Sequence, residues 1–236
     1  MDSRSSSPEN DVLFLGIVPE RENKTAGTTS TDFDGLLEEP LLLHEDLKEG
    51  CGGQLWPAGM TLATYMLKYH RDLRDKSIIE IGAGGGLVGL ATAKGCLLNS
   101  NTKMVITDQV PMLALMQRNI NLNKLEKKVV AEIYDWGTSI PAQVASYLES
   151  SASQPDIVLA ADCVYFEPAF PLLLQTLKDL IGHSTTCFFC FKKRRKADMR
   201  FIRDMHKTFK VEEVEYDNRD MDRRNSVFLY KLTTKT

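Results

Sequence analysis

Apolar positions follow two periods that alternate along most of the chain. Short, nearly continuous apolar runs predict buried strands, whereas apolar residues spaced three and four apart predict amphipathic helices. The predicted strands are Ser77–Ile81, Met104–Thr107, Val129–Tyr134, Asp156–Ala161, Thr185–Phe191, Val211–Tyr216 and Ser226–Leu232. The predicted helices are Pro57–Tyr69, Leu87–Cys96, Pro111–Leu122, Pro168–Ile181 and Ala197–Phe209. No helical pattern separates the last two strands.

Strands that alternate with helices predict an α/β fold. We expect a doubly wound, mainly parallel, Rossmann-like sheet of seven strands with helices on both faces. One strand near the C-terminus should run antiparallel, because the last two strands are close in sequence. Residues 1–35 are rich in Ser, Thr, Asp and Glu and are predicted to be a disordered tail, while residues 36–236 form the domain.

Composition narrows the class of protein. Apolar residues make up 43% and charged residues 26% of the chain, which is typical of a soluble globular protein. The net charge of -3 provides no global basic field for nucleic acid. No apolar stretch is long enough to span a bilayer, and the polar N-terminus lacks a signal-peptide core. The five scattered cysteines fit a reducing compartment, so we expect a cytoplasmic protein, with the nucleus as the alternative.

A glycine-rich turn joins the first predicted strand of the sheet to a helix. Gly82, Gly84 and Gly86 follow Glu80 there, and such glycines let a ligand approach the backbone closely. The dinucleotide spacing G-x-G-x-x-G fails, because position 87 is leucine. A carboxylate at Glu80 would repel a pyrophosphate but suits a cofactor with a cationic amino-acid end, such as S-adenosylmethionine. A tight strand–helix crossing without a ligand is the alternative.

Polar and aromatic residues follow the next strands at the same edge of the predicted sheet. Asp108 lies about 20 residues after the glycine-rich turn, which is where an acid that binds ribose hydroxyls is expected. It could instead cap the next helix. Trp136 follows the third strand and could lie against an adenine, and Trp56 precedes the first helix and could close over the cofactor. Core packing is the alternative for either tryptophan.

The fourth strand ends in Ala161 and Asp162, and Tyr165 follows. Ligands of open parallel sheets bind beyond these strand ends, so Asp162 and Tyr165 should face the reaction centre. We interpret Asp162 as a group that orients an amine and Tyr165 as part of an acceptor channel. Capping of the following helix is the alternative for Asp162.

Together these residues resemble the seven-β-strand methyltransferases, specifically the protein-lysine methyltransferases of methyltransferase family 16. The resemblance covers residues 50–232. Three runs are similar to the fungal branch that methylates translation elongation factor 1-alpha: Leu159–Glu167, Phe170–Leu173 and Lys192–Asp198. It implies S-adenosylmethionine as cofactor and substrate-side roles for Asp162 and Tyr165. The cofactor contacts that it implies are Trp56, Gly82, Ala83, Gly84, Asp108, Trp136 and Ala161. Gly85 departs from the family, which often has Thr or Ser there.

The resemblance therefore predicts a monomeric enzyme that acts on a protein, without a membrane or a direct nucleic-acid substrate. The attacking lysine must first lose a proton, because its free pKa is near 10.4. Methylation of another protein, an RNA or a small molecule, or a non-catalytic module that binds the cofactor, are the alternatives. Base methyltransferases often carry Asn-Pro-Pro-Tyr where this chain has Asp162-Cys163-Val164-Tyr165, which argues against base chemistry.

The basic run and two of the cysteines also suggest functional sites. The basic run Lys192–Lys196 is either a solvated loop or a contact with an acidic or RNA-bound protein substrate. Cys187 and Cys190 lack a second pair and lie in an apolar strand, so we predict core packing and no metal site.

Overall fold

The computed structural model describes residues 26–46, 53–99, 104–148 and 154–235. In chain order, the strands are β1 (Gly27–Thr31), β2 (Leu41–Glu45), β3 (Ile78–Ile81), β4 (Met104–Asp108), β5 (Val129–Ile133), β6 (Ile157–Ala161), β7 (Thr186–Lys192), β8 (Phe209–Glu213) and β9 (Val227–Thr234). The helices are α1 (Pro57–Tyr69), α2 (Leu87–Gly95), α3 (Val110–Leu122), α4 (Ala142–Tyr147), α5 (Phe170–Leu180), α6 (Lys196–Thr208) and α7 (Arg219–Arg224). A 3-10 turn, Glu167–Ala169, precedes α5.

Seven strands form the central sheet in the order β5-β4-β3-β6-β7-β9-β8. The strands from β3 to β7 are parallel to one another, and β9 runs antiparallel to both β7 and β8. The predicted mainly parallel sheet with one antiparallel strand near the C-terminus is therefore confirmed. The chain winds outward in opposite directions from β3 and β6, so the switch point of the sheet lies between these two strands.

Apolar side chains on the two faces of the sheet form two separate cores. One core joins α1, α2 and α3 to one face, with Leu62, Leu90 and Met116 fully buried. The other joins α4, α5 and α6 to the opposite face. Cys187 belongs to the second core and Cys190 to the first, because residues three apart in a strand point to opposite faces. Both thiols are fully buried, which confirms the prediction of core packing.

An N-terminal hairpin of β1 and β2 lies outside the central sheet and was missing from the predicted elements. Its strands pair antiparallel, with Thr29 opposite Leu43, and Leu41 and Leu43 are buried in the first core. The strand β1 lies within the segment that the sequence assigned to the disordered tail, so regular structure begins before residue 36. Residues 1–25 lie outside the described residues.

The C-terminal region departs from the prediction in one element. A short helix, α7, lies between β8 and β9, where no helical pattern was found. It has no buried residue, so it shows no apolar stripe, and it is held by polar contacts instead. Arg219 and Arg223 both form ion pairs with Glu213, and the Tyr216 hydroxyl donates to Asp222. In the described ranges, no helix is both long and apolar enough to cross a membrane.

Candidate active site

A cavity of about 770 Å³ lies at the carboxyl ends of β3, β4, β5 and β6. Its size is within the range of small-molecule sites, and its place is the switch point of the sheet. Ten of the eleven residues predicted for the site line it. They are Trp56, Glu80, Gly82, Ala83, Gly84, Asp108, Trp136, Ala161, Asp162 and Tyr165. Gly86 is the exception. Its N–H donates to the Ala83 carbonyl oxygen, and a Cβ on Gly86 would lie 2.9 Å from the Ile106 side chain.

The glycine turn between β3 and α2 needs glycine for two reasons. Gly82, Gly84 and Gly86 have φ of 61°, 55° and 87°, a left-handed conformation that other residues adopt at a cost. A Cβ on Gly82 would also lie 2.7 Å from the ring of Trp136 and 2.9 Å from Cys163 Sγ. The turn and the aromatic wall of the cavity are therefore packed directly against each other.

Glu80 connects the strand before the turn to the helix after it. Its side chain is buried, and Oε2 accepts a hydrogen bond of 2.7 Å from the Gly89 N–H in α2. Burial raises the pKa of Glu80 to about 8, and the nearby charge of Asp108 adds to the rise. A cationic group at this end of the cavity would favour the charged carboxylate and would offset part of its cost of burial.

Asp108 holds the middle of the turn from the neighbouring strand. Its Oδ2 accepts from the Gly84 N–H at 2.7 Å, and Oδ1 accepts from the Gln109 N–H at 2.7 Å. Burial raises the pKa of Asp108, although these two hydrogen bonds oppose the rise. The N-cap of α3 is Gln109, so Asp108 does not fill the helix-capping role that was its alternative. Both carboxylate oxygens keep acceptor capacity on the cavity side.

Asp162 is held at the other end of the cavity in a strained conformation. Its φ is 53°, which is uncommon outside glycine, and its side chain is buried. Oδ2 accepts from the Ala58 N–H at 3.1 Å, while Oδ1 accepts from the Lys192 N–H at 3.0 Å and from Arg194 Nη1 at 2.9 Å. Asp162 thus caps the N-terminus of α1. The alternative role was to cap the helix that follows Asp162, and that is a different helix.

The basic run is folded into the wall of the cavity. Arg194 is only 18% exposed, and its guanidinium lies 5.1 Å from the centre of the Trp56 ring. The Arg195 guanidinium donates to the Tyr165 carbonyl oxygen, and the backbone N–H groups of both arginines bond the buried carboxylate of Asp198 at 2.8 Å. These two arginines therefore do not belong to a solvated loop, whereas Lys193 and Lys196 are exposed. The contact of the basic run with a protein substrate stays a prediction.

Several residues of the cavity wall were missed by the sequence interpretation. Arg194 and Arg195 line the cavity but belong to a run of which only the charge was interpreted. Asp198, which binds the backbone N–H groups of both, occupies the third position of α6, where a carboxylate is a recognisable capping signal. Leu43, His44 and Glu45 of β2 also line the cavity. Among the described residues, no group of three or more His, Cys, Asp or Glu side chains is placed to hold a metal ion.

Comparison with solved structures identifies the class of fold. The precorrin-6y C5,15-methyltransferase of Geobacter metallireducens superposes with a TM-score of 0.50 at 10% identity, covering 75% of this chain and 87% of that one. The pyocyanin biosynthetic protein PhzM superposes with a TM-score of 0.52 at 14% identity, covering 74% and 55%. At these identities the likeness is one of fold.

Comparison of sequences identifies the family. The profile of the lysine methyltransferase family matches residues 36–208. The protein-lysine N-methyltransferase EFM6 of Saccharomyces cerevisiae is 36% identical over 220 residues, which cover 85% of this chain and 88% of that protein. The EEF1A lysine methyltransferase 3 of Xenopus tropicalis is 29% identical over 236 residues, covering 95% and 96%. This chain belongs to the lysine methyltransferase family, and S-adenosylmethionine is its methyl donor.

Proposed function

We propose that this enzyme methylates a lysine side chain of translation elongation factor 1-alpha. The observation that carries the choice of substrate is the similarity along nearly the whole chain to a frog enzyme named for that factor. The yeast relative, named as a protein-lysine N-methyltransferase, supports the same acceptor group. The cavity suits such a reaction, because a cofactor end around Asp108 and an acceptor end around Asp162 open into one space.

The cofactor end would hold S-adenosylmethionine, which supplies a methyl group on a cationic sulfur. Gly82, Ala83 and Gly84 line the cavity, so a ligand there would lie directly against the turn. Asp108 would accept hydrogen bonds from the ribose hydroxyls, and Trp136 would lie against the adenine. Ala161 and Trp56 would complete the wall, and Glu80 would face the amino-acid end while it bonds Gly89.

The acceptor end would position a neutral lysine amine. Partial burial and the adjacent guanidinium of Arg194 disfavour the ammonium form of a lysine placed there. The Asp162 carboxylate favours the ammonium form, but its ion pair with Arg194 offsets that effect. Asp162 Oδ2 accepts one hydrogen bond among the described residues, so it has capacity left for an amine N–H. Tyr165 would line the channel through which the side chain enters. Most of the rate would come from this positioning.

We further propose that the enzyme acts as a monomer in the cytoplasm. An elongation factor would be met where translation takes place. A nucleic-acid acceptor is disfavoured by the net charge of -3 and by the prolines missing from the Asp162–Tyr165 motif.

The test is methyl transfer from tritiated S-adenosylmethionine into a lysate of cells that lack this protein. We expect one labelled band at the size of elongation factor 1-alpha, and mass spectrometry of that band should locate the modified lysine. Heat-inactivated enzyme serves as the inactive control. Label in RNA, label in a different protein, or no label at all would contradict the proposal.

A further inference from the structure

Asn119 of α3 and Asn123, which caps the C-terminus of α3, bind the N-terminal hairpin as a neighbouring strand would. Asn123 accepts from the Leu42 N–H at 2.9 Å and donates to the Leu42 carbonyl oxygen at 2.7 Å. Asn119 accepts from the His44 N–H at 2.8 Å and donates to the His44 carbonyl oxygen at 3.2 Å. The spacing matches, because four helical residues rise about 6 Å and two strand residues about 6.6 Å. Each amide therefore satisfies both backbone groups of one residue in β2.

Only one of the two asparagines also reaches the glycine turn. Asn119 Nδ2 donates a second hydrogen bond of 2.9 Å to the Gly85 carbonyl oxygen, in the middle of the turn. Asn123 Nδ2 also donates a second hydrogen bond, but its acceptor is the Asn119 carbonyl oxygen, at 2.8 Å, and not the glycine turn. Asn119 is fully buried, and a Cβ on Gly85 would lie 3.2 Å from its Nδ2. The fit between this amide and the turn is close.

The hairpin that Asn119 binds is itself part of the cavity wall. Leu43, His44 and Glu45 line the cavity. The Glu45 carboxylate accepts from the Leu55 N–H at 3.1 Å, which connects β2 to the segment that carries Trp56. A shift of β2 would therefore move one wall of the cavity, and Asn119 would transmit that shift to the turn.

We propose that Asn119 is a positioning residue that couples docking of the β1–β2 hairpin to the conformation of the cofactor turn. Its single amide satisfies backbone groups on both sides, so neither side can move without leaving a buried polar group unpaired. Cofactor binding then stabilises the docked hairpin, and the docked hairpin strengthens cofactor binding by the same factor. This inference rests on the cofactor site described above and deepens it.

The test compares Asn119→Ala with its matched control, Asn123→Ala, in the full chain. Isothermal calorimetry with S-adenosylhomocysteine should show about ten-fold weaker binding for Asn119→Ala, equivalent to about 1.4 kcal/mol, and a change below about three-fold for Asn123→Ala. Hydrogen exchange of residues 41–45 should be faster in both variants, since both lose hairpin contacts. In kinetics, the KM for the cofactor should rise in Asn119→Ala while the KM for the protein substrate stays constant.

Equal weakening in both variants, or no weakening in Asn119→Ala, would overturn the inference. If Asn119→Ala does not fold, the wild-type chain still decides, because S-adenosylhomocysteine should slow exchange at residues 41–45 and unchanged exchange would contradict the coupling. Failure of the wild type to bind S-adenosylhomocysteine would instead contradict the cofactor site. Binding without methylation of elongation factor 1-alpha would contradict only the proposed substrate.

Discussion

Two aspartates, Asp108 and Asp162, lie at the carboxyl ends of β4 and β6, the strands on either side of β3, yet they are bound in different ways. Asp108 accepts from the amides of the adjacent turn and of its own neighbour in sequence. Asp162 accepts from Ala58, Lys192 and Arg194, which come from distant parts of the chain. Among the described residues, the two aspartates share no hydrogen-bond partner. The partners of Asp162 lie 30, 32 and 104 residues away in the sequence, and those of Asp108 lie 1 and 24 residues away. The difference predicts that damage to one end should leave the function of the other intact.

The largest effect should come from Asp162→Asn. Asparagine keeps the size and tolerates a positive φ, but it removes the charge that holds Arg194. Because misplacement of a reacting group by about 1 Å costs about 100-fold, we expect kcat for methyl transfer to fall by about that factor. Calorimetry should show S-adenosylhomocysteine binding within about three-fold of wild type. Undiminished methylation would remove Asp162 from the mechanism.

The reciprocal effect should come from Asp108→Ala. Loss of a charged acceptor for the Gly84 N–H and the ribose should weaken S-adenosylhomocysteine binding about 50-fold, within the range for hydrogen bonds to charged groups. At saturating cofactor, kcat should stay within about five-fold of wild type. If kcat and cofactor affinity fall together in both aspartate variants, the two ends are not separate.

A smaller effect should come from Arg194→Ala, which tests whether Arg194 positions Asp162 at the acceptor end. The guanidinium fixes Asp162 and covers the Trp56 ring, so its loss should lower kcat/KM for the protein substrate about ten-fold, as expected for loss of a charge-assisted hydrogen bond. Lys193→Ala, which changes an exposed neighbour, is the matched control and should have little effect. Arg194→Lys should lower kcat/KM less than Arg194→Ala does, because lysine keeps the charge but lacks the planar guanidinium group. Equal losses in the Lys193 and Arg194 variants would indicate a general charge effect.

The two ends also differ in how far they could be predicted from the sequence. The glycine turn, Asp108 and Trp136 each follow a strand whose apolar run is plain in the sequence, so their place at one edge followed from the parallel sheet. The partners of Asp162 could not be predicted, because Ala58 and Arg194 meet it only through tertiary packing. The same holds for the β1–β2 hairpin, whose polar edge is satisfied by Asn119 and Asn123 across the fold.

The last effect concerns folding stability instead of catalysis, and it comes from Glu80 and its pH dependence. Its pKa in the folded chain is raised to about 8, whereas an unfolded glutamate has a pKa near 4.3, so the folded cofactor-free protein holds a proton that the unfolded chain releases. The stability from Glu80 is therefore fully present below about pH 4.3 and is lost as pH rises through about 8.

Urea unfolding of the wild type and of Glu80→Gln between pH 5 and pH 8 checks this expectation. The free energy of unfolding of the wild type should decrease with pH relative to the variant, by at most about 1.4 kcal/mol per pH unit. Saturating S-adenosylhomocysteine should flatten the difference if Glu80 faces the cationic amino group of the ligand. If the ligand leaves the difference between the two pH profiles unchanged, Glu80 binds only the Gly89 N–H and does not face the ligand. If the two profiles are parallel without ligand, the pKa of Glu80 is not raised.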